Sequence, residues 1–547
     1  MMPKLKMSFF FPFFALVLIL PCHTHATTYY VNPVLGTADY DGKNLLRPLK
    51  DLQKVNQLPI QAGDSILLAA GYTFSGALRL KGIQGTAEAP VVISSYQWGN
   101  TLEDKRAIID AKGFLHGVHL TNCSHILVKD LIITADGGAS GTGDMRCGIL
   151  VDTDLAGQYT GIQLDHIWVK DLFFEDQGFQ RGKDEVRTAN GSQRYGWGIR
   201  FINHTEGATL KDLLVINCVV KNVAHTGIKF TSRNKAIENI RIYNNRVLET
   251  GGPGIQMSGI SGGHIKDNYV AHSGSPDDSR KWGRGSGLWT WGSADIVIEN
   301  NHFLNANGPG DSAGCHIDFN CENVVVQYNF SANNAGGFCE ILGNNYNCAY
   351  RYNISVNDGH RVKGENGAFQ EGKTFWLSGY QGNKKPRKGP FNSYFYNNTI
   401  YVGKDIISKI AVDKASAGVL IMNNIFYIEG ESQAVLGDQY KPEQAGTATI
   451  KDIVFNNNLY LKSENWPKAA SIQDKSQRIG DPRFFQAGGL DITAYIPTNI
   501  QLIKDKGLAI PRIPNDEIGL TIGLKVAHDI LGNPIIGMPD LGAIELE

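Results

Sequence analysis

The sequence predicts an all-β fold, a right-handed parallel β-helix (a single-stranded solenoid), because two short phrases recur along it in phase. One phrase centres on asparagine and the other opens a strand with glycine. Each describes a unit too small to bury its own apolar face, so the units must stack. The 547 residues are 42% hydrophobic and 19% charged, enough apolar material for one long core.

The asparagine phrase reads "aliphatic or aromatic, two residues, Asn, mostly apolar". Its asparagines are Asn245, Asn268, Asn301, Asn329, Asn353, Asn398, Asn424 and Asn458, at steps of 23, 33, 28, 24, 45, 26 and 34 residues. A coil of about 22 to 24 residues with insertions explains the uneven steps. At a tight bend asparagine tolerates unusual backbone angles, and its amide can bond to the same group one coil away. The glycine phrase begins at Gly198, Gly227, Gly254, Gly287, Gly314 and Gly336. Strand alternation then stacks Ile199, Ile228, Ile255, Leu288, Cys315 and Gly337 inward.

The N-terminus reads differently. Lys4 and Lys6 precede an apolar run from Phe9 to Leu20, and Thr24-His25-Ala26 offers small residues for cleavage. Residues 1–26 are expected to form a signal peptide, the run being shorter than the ~20 residues of a membrane span. That implies a secreted or periplasmic protein. A lipid anchor on Cys22 is disfavoured by Pro21, and no other stretch could cross a bilayer. The remaining chain divides into a β-helix with N-terminal cap, 27–465, and a C-terminal extension packing on it, 466–547.

Charge and cysteine usage exclude some functions. Lys+Arg (52) and Asp+Glu (53) nearly cancel without a basic block, which argues against nucleic acid as a partner. Cys123, Cys147, Cys218, Cys315, Cys321, Cys339 and Cys348 are odd in number and lack a CxxC pair, so they read as core fillers. No Walker loop, HExxH or supported GxSxG is present. The sequence implies no metal and no organic cofactor, and a monomer.

The two ends carry a resemblance. Tyr29-Tyr-Val-Asn-Pro33, Asp41-Gly42 and Ala62-Gly-Asp-Ser-Ile66, with Asp529-Ile-Leu-Gly-Asn533 and Pro539-Asp-Leu-Gly-Ala-Ile-Glu545, resemble the opening and closing segments of secreted bacterial β-helix proteins of the pectate-lyase-like superfamily. The resemblance spans nearly the whole mature chain. It implies the fold and a carbohydrate-active role, since the architecture hosts lyases, hydrolases, epimerases and binding proteins.

If the glycine strands share a sheet, their outward residues form a column: Arg200, Lys229, Gln256, Trp289 with Trp291, His316 with Asp318, then Phe338 with Glu340. Cations can pair with carboxylate or sulfate, and indoles offer flat faces to sugar rings. Asp318 and Glu340 are expected in equivalent slots of consecutive coils. Two close carboxyls push their pKa values apart, which glycosidic cleavage requires. Catalysis is therefore expected from Asp318, Glu340 and His316, with Arg200, Lys229, Gln256, Trp289 and Trp291 binding substrate.

An insertion follows, from Asp358 through His360, Arg361, Lys363, Glu365, Glu371, Lys373 and Trp376 to about Pro390. Long loops in compact proteins are usually functional or disordered. The order Asp318, Glu340, Gly-His, Arg-x-Lys is similar to that of polygalacturonase-type hydrolases, and implies acidic catalysts with substrate bound by His360, Arg361, Lys363, Glu365 and Glu371. The sequence departs from that family: its double-Asp motif is absent, and His360 and Arg361 run together. The loops Asp184–Tyr195 and Ser273–Gly287 are expected to wall the groove.

These residues favour a glycoside hydrolase acting on an acidic or sulfated polysaccharide or oligosaccharide. A polysaccharide lyase is the main alternative, with Arg200 and Lys229 near the uronate and Ca²⁺ possible through Asp277-Asp278 or Asp152 with Asp154. A non-catalytic adhesin would need no convergent carboxyls, and a uronate epimerase is a further alternative.

Overall fold

The computed structural model describes residues 26–99, 105–137, 145–173, 196–274, 284–435 and 450–546. The expected leader cleavage region up to His25, the loop Asp184–Tyr195, and Asp277, Asp278, Arg280, Lys281 and Trp282 lie outside the described residues.

Three parallel sheets of 15, 12 and 14 strands run the length of the molecule. A representative coil contributes Cys315–Ile317, Glu322–Gln327 and Phe330–Ala332, each paired in parallel with the next coil. Alternation sends one set of side chains to a common interior. There Ile199 faces Ile228, Ile228 faces Ile255, Ile255 faces Leu288, and Leu288 faces Cys315. All five are fully buried.

The next step of this column departs from expectation. Ile317 faces Ile341, a register that sets Cys339, not Gly337, above Cys315. Gly337 bridges Ala313 instead, and Cys339 passes the column on to Phe375. The glycine doublet Gly336-Gly337 lengthens the corner by a residue pair, and a side chain on Gly337 would strike the Lys373 carbonyl.

The asparagine phrase forms a continuous buried ladder. Nδ2 of Asn245, Asn268, Asn301, Asn329, Asn353, Asn398 and Asn424 each donates to Oδ1 of the next, at 2.8–3.0 Å, and Asn458 donates to Asp474 at 2.9 Å. The left-handed backbone sits one residue earlier than expected, at Asn244, Asp267, Asn300, Tyr328, Tyr352, Asn397, Asn423 and Asn457. The residue before each ladder asparagine turns the corner, and the asparagine holds it closed.

The ends and two faces are covered. Asp51 caps the short helix Leu52–Val55, whose Leu52 and Val55 join the core at its N-terminal end. The C-terminal segment lays Ile513, Leu520 and Val526 against Val325, Ala349, Tyr394 and Leu420 on the outer face of the 15-stranded sheet. It lays Ala543 and Ile544 against the 14-stranded sheet. The outer face of the 12-stranded sheet carries neither. All seven described cysteines are buried and unpaired. No helix among the described residues is long and apolar enough to cross a membrane.

Candidate active site

The outer face of the 12-stranded sheet opens into a cavity of about 460 Å³, within the usual range for a small-ligand site. Its floor is the outward column: Gln256 faces Trp289, Trp289 faces His316, and Glu340 faces Trp376. Trp291, Phe319 and Tyr380 form one wall, the rings meeting edge-on with centroids 5.9 and 5.8 Å apart. Flat rings beside acids suit the apolar face and hydroxyl edge of a sugar.

Asp318 and Glu340 both line this cavity, but not in equivalent slots. The register places Glu340 beside His316 and Asp318 beside Leu342, so the acids are diagonal neighbours. The glycine doublet produces this two-residue offset. Asp318 stands just past the strand Cys315–Ile317, where its amide donates to the Thr290 carbonyl (2.9 Å) and its Oδ1 accepts from the Phe319 amide (2.9 Å).

A third carboxyl, absent from the sequence reading, completes the group. Asp311 lines the same cavity and pairs with Arg284 at 3.4 Å. Asp311 and Ser312 both have left-handed backbones, φ 42° and 61°. Two such non-glycine residues in a row are a strain that persists only when neighbours enforce it. Here the neighbours are explicit. Arg361 Nη1 donates to the carbonyls of Gly308 (2.9 Å) and Asp311 (3.0 Å), and the Asp311 amide donates to Gln370 Oε1. Gly336 lies flat beneath, where a Cβ would collide with the Asp311 carbonyl.

Burial and repulsion from Asp311 set the protonation of Asp318 and Glu340. Asp318 is pushed up to about 7 by loss of water and by the negative charge of Asp311. Glu340 is raised well above the carboxylate range by burial and the charge of Asp311, against the opposing pull of Lys373. His316, expected to take part in catalysis, is fully buried and lowered to about 4 by desolvation; it is a neutral imidazole near neutral pH, with Nδ1 3.3 Å from Ser286 Oγ.

The remaining expected binding residues fall elsewhere. Arg361 is a buried clamp, its Nε also donating to the Gln370 carbonyl (2.7 Å). Glu371 pairs with Lys409 (2.7 Å), whose ammonium in turn donates to the Arg361 carbonyl (3.0 Å). These contacts brace the Asp311 loop from behind. His360, Arg361 and Glu365 line a separate cavity of about 440 Å³, and Lys363 is exposed outside the first. Arg200 and Lys229 lie on the same column as Gln256, but lower, and do not line the carboxyl cavity.

No cluster of three metal-ligating side chains occurs among the described residues. Asp152 is engaged by His119 (3.0 Å) and Thr121 (2.7 Å), and Asp154 by Lys81 (2.5 Å). The sequence reading missed Asp311 because it followed strand positions only. The available signal was the loop Gly308-Pro309-Gly310-Asp311-Ser312, turn-forming residues immediately before a site strand, where functional groups concentrate.

The family described as right handed beta helix region matches residues 197–369, which include Asp311, Asp318 and Glu340. The chain is a right-handed β-helix protein. It is 26% identical to a lacto-N-biosidase of Bifidobacterium longum subsp. longum, over 95% of this chain and 36% of that protein. It thus spans only about a third of the length of that curated relative. Among solved structures it is similar to a lacto-N-biosidase of Eubacterium ramulus assigned to GH136, at 19% identity and TM-score 0.49, covering 78% of this chain and 68% of that one. It is also similar to the pectate lyase Pel9A, at 13% identity and TM-score 0.38, covering 95% and 96%.

Proposed function

We propose that the protein is an exported glycoside hydrolase that cleaves an oligosaccharide bound across Asp311, Asp318 and Glu340. The observation that carries this reading is the meeting of three carboxyls from a strained loop and two coils inside an aromatic-walled cavity. Glycosidic cleavage needs one carboxyl bearing a proton for the departing oxygen and another ionised to act on the anomeric carbon or on water. Asp311 and Asp318 supply this pair. Burial and the charge of Asp311 push Asp318 up to about 7, so it carries the proton below that pH. Glu340, also proton-bearing, sits beside His316 and is placed to hydrogen-bond sugar hydroxyls. Trp289, Trp291, Trp376 and Tyr380 orient the rings.

Identity to a lacto-N-biosidase over nearly all of this chain supports hydrolysis over elimination. It also sets the first substrates to try, namely oligosaccharides containing lacto-N-biose, followed by plant and algal acidic polysaccharides. The test reads new reducing ends and ultraviolet absorbance together. Reducing ends without absorbance are expected. Unsaturated, absorbing products would establish a lyase instead. No turnover of any glycan, with binding unchanged by amide substitution of Asp311 and Asp318, would leave a binding protein. Export by residues 1–26 is checked by N-terminal sequencing of the mature protein, expected to begin near Thr27.

A further inference from the structure

Below the cavity the outward column continues with residues that the cleavage reading does not use. Arg200 faces Lys229, and Lys229 faces Gln256, so the cations occupy consecutive rungs ~4.8 Å apart. Gln256 belongs to the cavity lining, which makes Lys229 the next rung outside it. Both cations alternate outward between buried core residues, Ile199 and Phe201 for one, Ile228 and Phe230 for the other.

Among the described residues their surroundings hold no compensating charge. Among the described residues neither Arg200 nor Lys229 makes an ion pair. The Arg200 guanidinium stacks on Trp197 at 4.6 Å, and its Nε is buried without a hydrogen-bond partner. Gln256 is only 5% exposed, and its Oε1 is likewise buried without a partner. Burial and the neighbouring Arg200 charge lower Lys229 to about 7. Two like charges on adjacent rungs, half removed from water, oppose folding unless something returns the lost interaction. Such local conflicts are retained where a ligand resolves them.

We propose that Arg200 and Lys229 form a subsite for a negatively charged substituent, a carboxylate or sulfate, on the sugar chain whose neighbouring ring occupies the cavity. The guanidinium and ammonium supply charge-assisted hydrogen bonds to the anion, and Gln256 Oε1 accepts from a hydroxyl or amide at the junction. This inference rests on the hydrolase reading for the direction of the sugar chain, but not for the existence of the anion site.

Two measurements test it separately. In the first, the melting temperature of wild type is followed with glucuronate, galactose 6-sulfate and neutral galactose at equal ionic strength. The anionic sugars are expected to raise it and galactose not, and the larger of the two shifts identifies carboxylate or sulfate as the better fit. Lys229→Met is expected to abolish that shift. It is also expected to melt no lower than wild type without ligand, because it removes an uncompensated charge and keeps an unbranched side chain only one atom shorter. In the second, hydrolysis rates are compared for oligosaccharides made with and without the anionic group. An anionic-to-neutral ratio of kcat/KM of about 10 or more is expected, falling toward one in Lys229→Met and Arg200→Lys. Equal shifts with charged and neutral sugars, or a ratio of one in wild type, would overturn the subsite while leaving hydrolysis intact. Anion-dependent shifts without turnover of any glycan would overturn the hydrolase reading and retain the subsite. A Lys229→Met protein that melts well below wild type would show a structural cation and overturn the proposal.

Discussion

Replacing Asn329 by alanine removes the middle rung of the buried ladder, on the coil that carries Asp318. Asn329 Nδ2 donates to the carbonyls of Ile298 (2.9 Å) and Gln327 (2.8 Å) and to Asn353 Oδ1 (3.0 Å). Its Oδ1 accepts from the Asn301 amide (3.0 Å) and Asn301 Nδ2 (2.9 Å). A buried hydrogen bond contributes ~1 kcal/mol net, and a buried partner left unsatisfied costs more. Asn301 Nδ2 keeps its bonds to the Ile265 and Glu299 carbonyls, which limits the loss on that side. The sum is a destabilisation of about 3–5 kcal/mol. Urea unfolding followed by circular dichroism measures it as a lower midpoint at unchanged slope. Asn323→Gly is the control, since Asn323 makes one exposed bond to Asp295 (2.9 Å) and already has a left-handed backbone; its cost should stay within about 0.5 kcal/mol. An Asn329→Ala cost below about 1 kcal/mol, or one equal to the control, would refute the claim that the ladder holds the coils in register.

Three further outcomes follow from the site and the C-terminal segment. Gly336→Ala, whose added methyl meets the Asp311 carbonyl, should lower kcat by about 100-fold with little change in KM; an unaffected kcat would show that loop position is unimportant. Asp318 keeps its proton up to about 7 when folded but releases it near the ordinary carboxylate value when unfolded, so it takes up protons on folding between those limits. Its contribution to stability therefore declines as pH rises through that window, and activity should fall on the alkaline side of about 7; Asp318→Asn should flatten the stability slope, and an unchanged slope would contradict the assignment. Glu545, pushed up to about 8 by burial and by Asp540, should likewise destabilise the C-terminal segment as pH rises; Glu545→Gln should match wild type in melting temperature at pH 5 and exceed it at pH 9, and the opposite order would contradict it.

The fold was legible because its determinants repeat. Each asparagine of the ladder performs the same local task, so one phrase read eight times located the coils, and the expected coil-to-coil amide bonds are present. What misled was a local exception: the Gly336-Gly337 doublet, which counting from the first glycine places two residues out of register. That shift moved Glu340 from beside Asp318 to beside His316. The cavity's aromatic and amide lining, Trp289, Trp291 and Gln256, followed from alternation alone. Asp311 did not, because a loop residue's direction is set by distant partners, Arg361 and Gln370, that no strand periodicity encodes. For the same reason the contacts of Arg361 and Glu371 were hidden from the sequence. Their side chains bond to backbone carbonyls and to Lys409, a pairing visible only once the insertion folds back.

Cleavage as proposed requires Asp311 and Asp318 to act on one glycosidic bond although a strained loop presents one and a strand end the other. The most direct measurement is the rate of reducing-end release by wild type, Asp311→Asn and Asp318→Asn on the best substrate of the screen, with melting temperatures taken in parallel. The predicted result is a loss of about 10³-fold or more in kcat for each amide variant, without a fall in melting temperature. Retention of more than a tenth of wild-type kcat by either variant would contradict it.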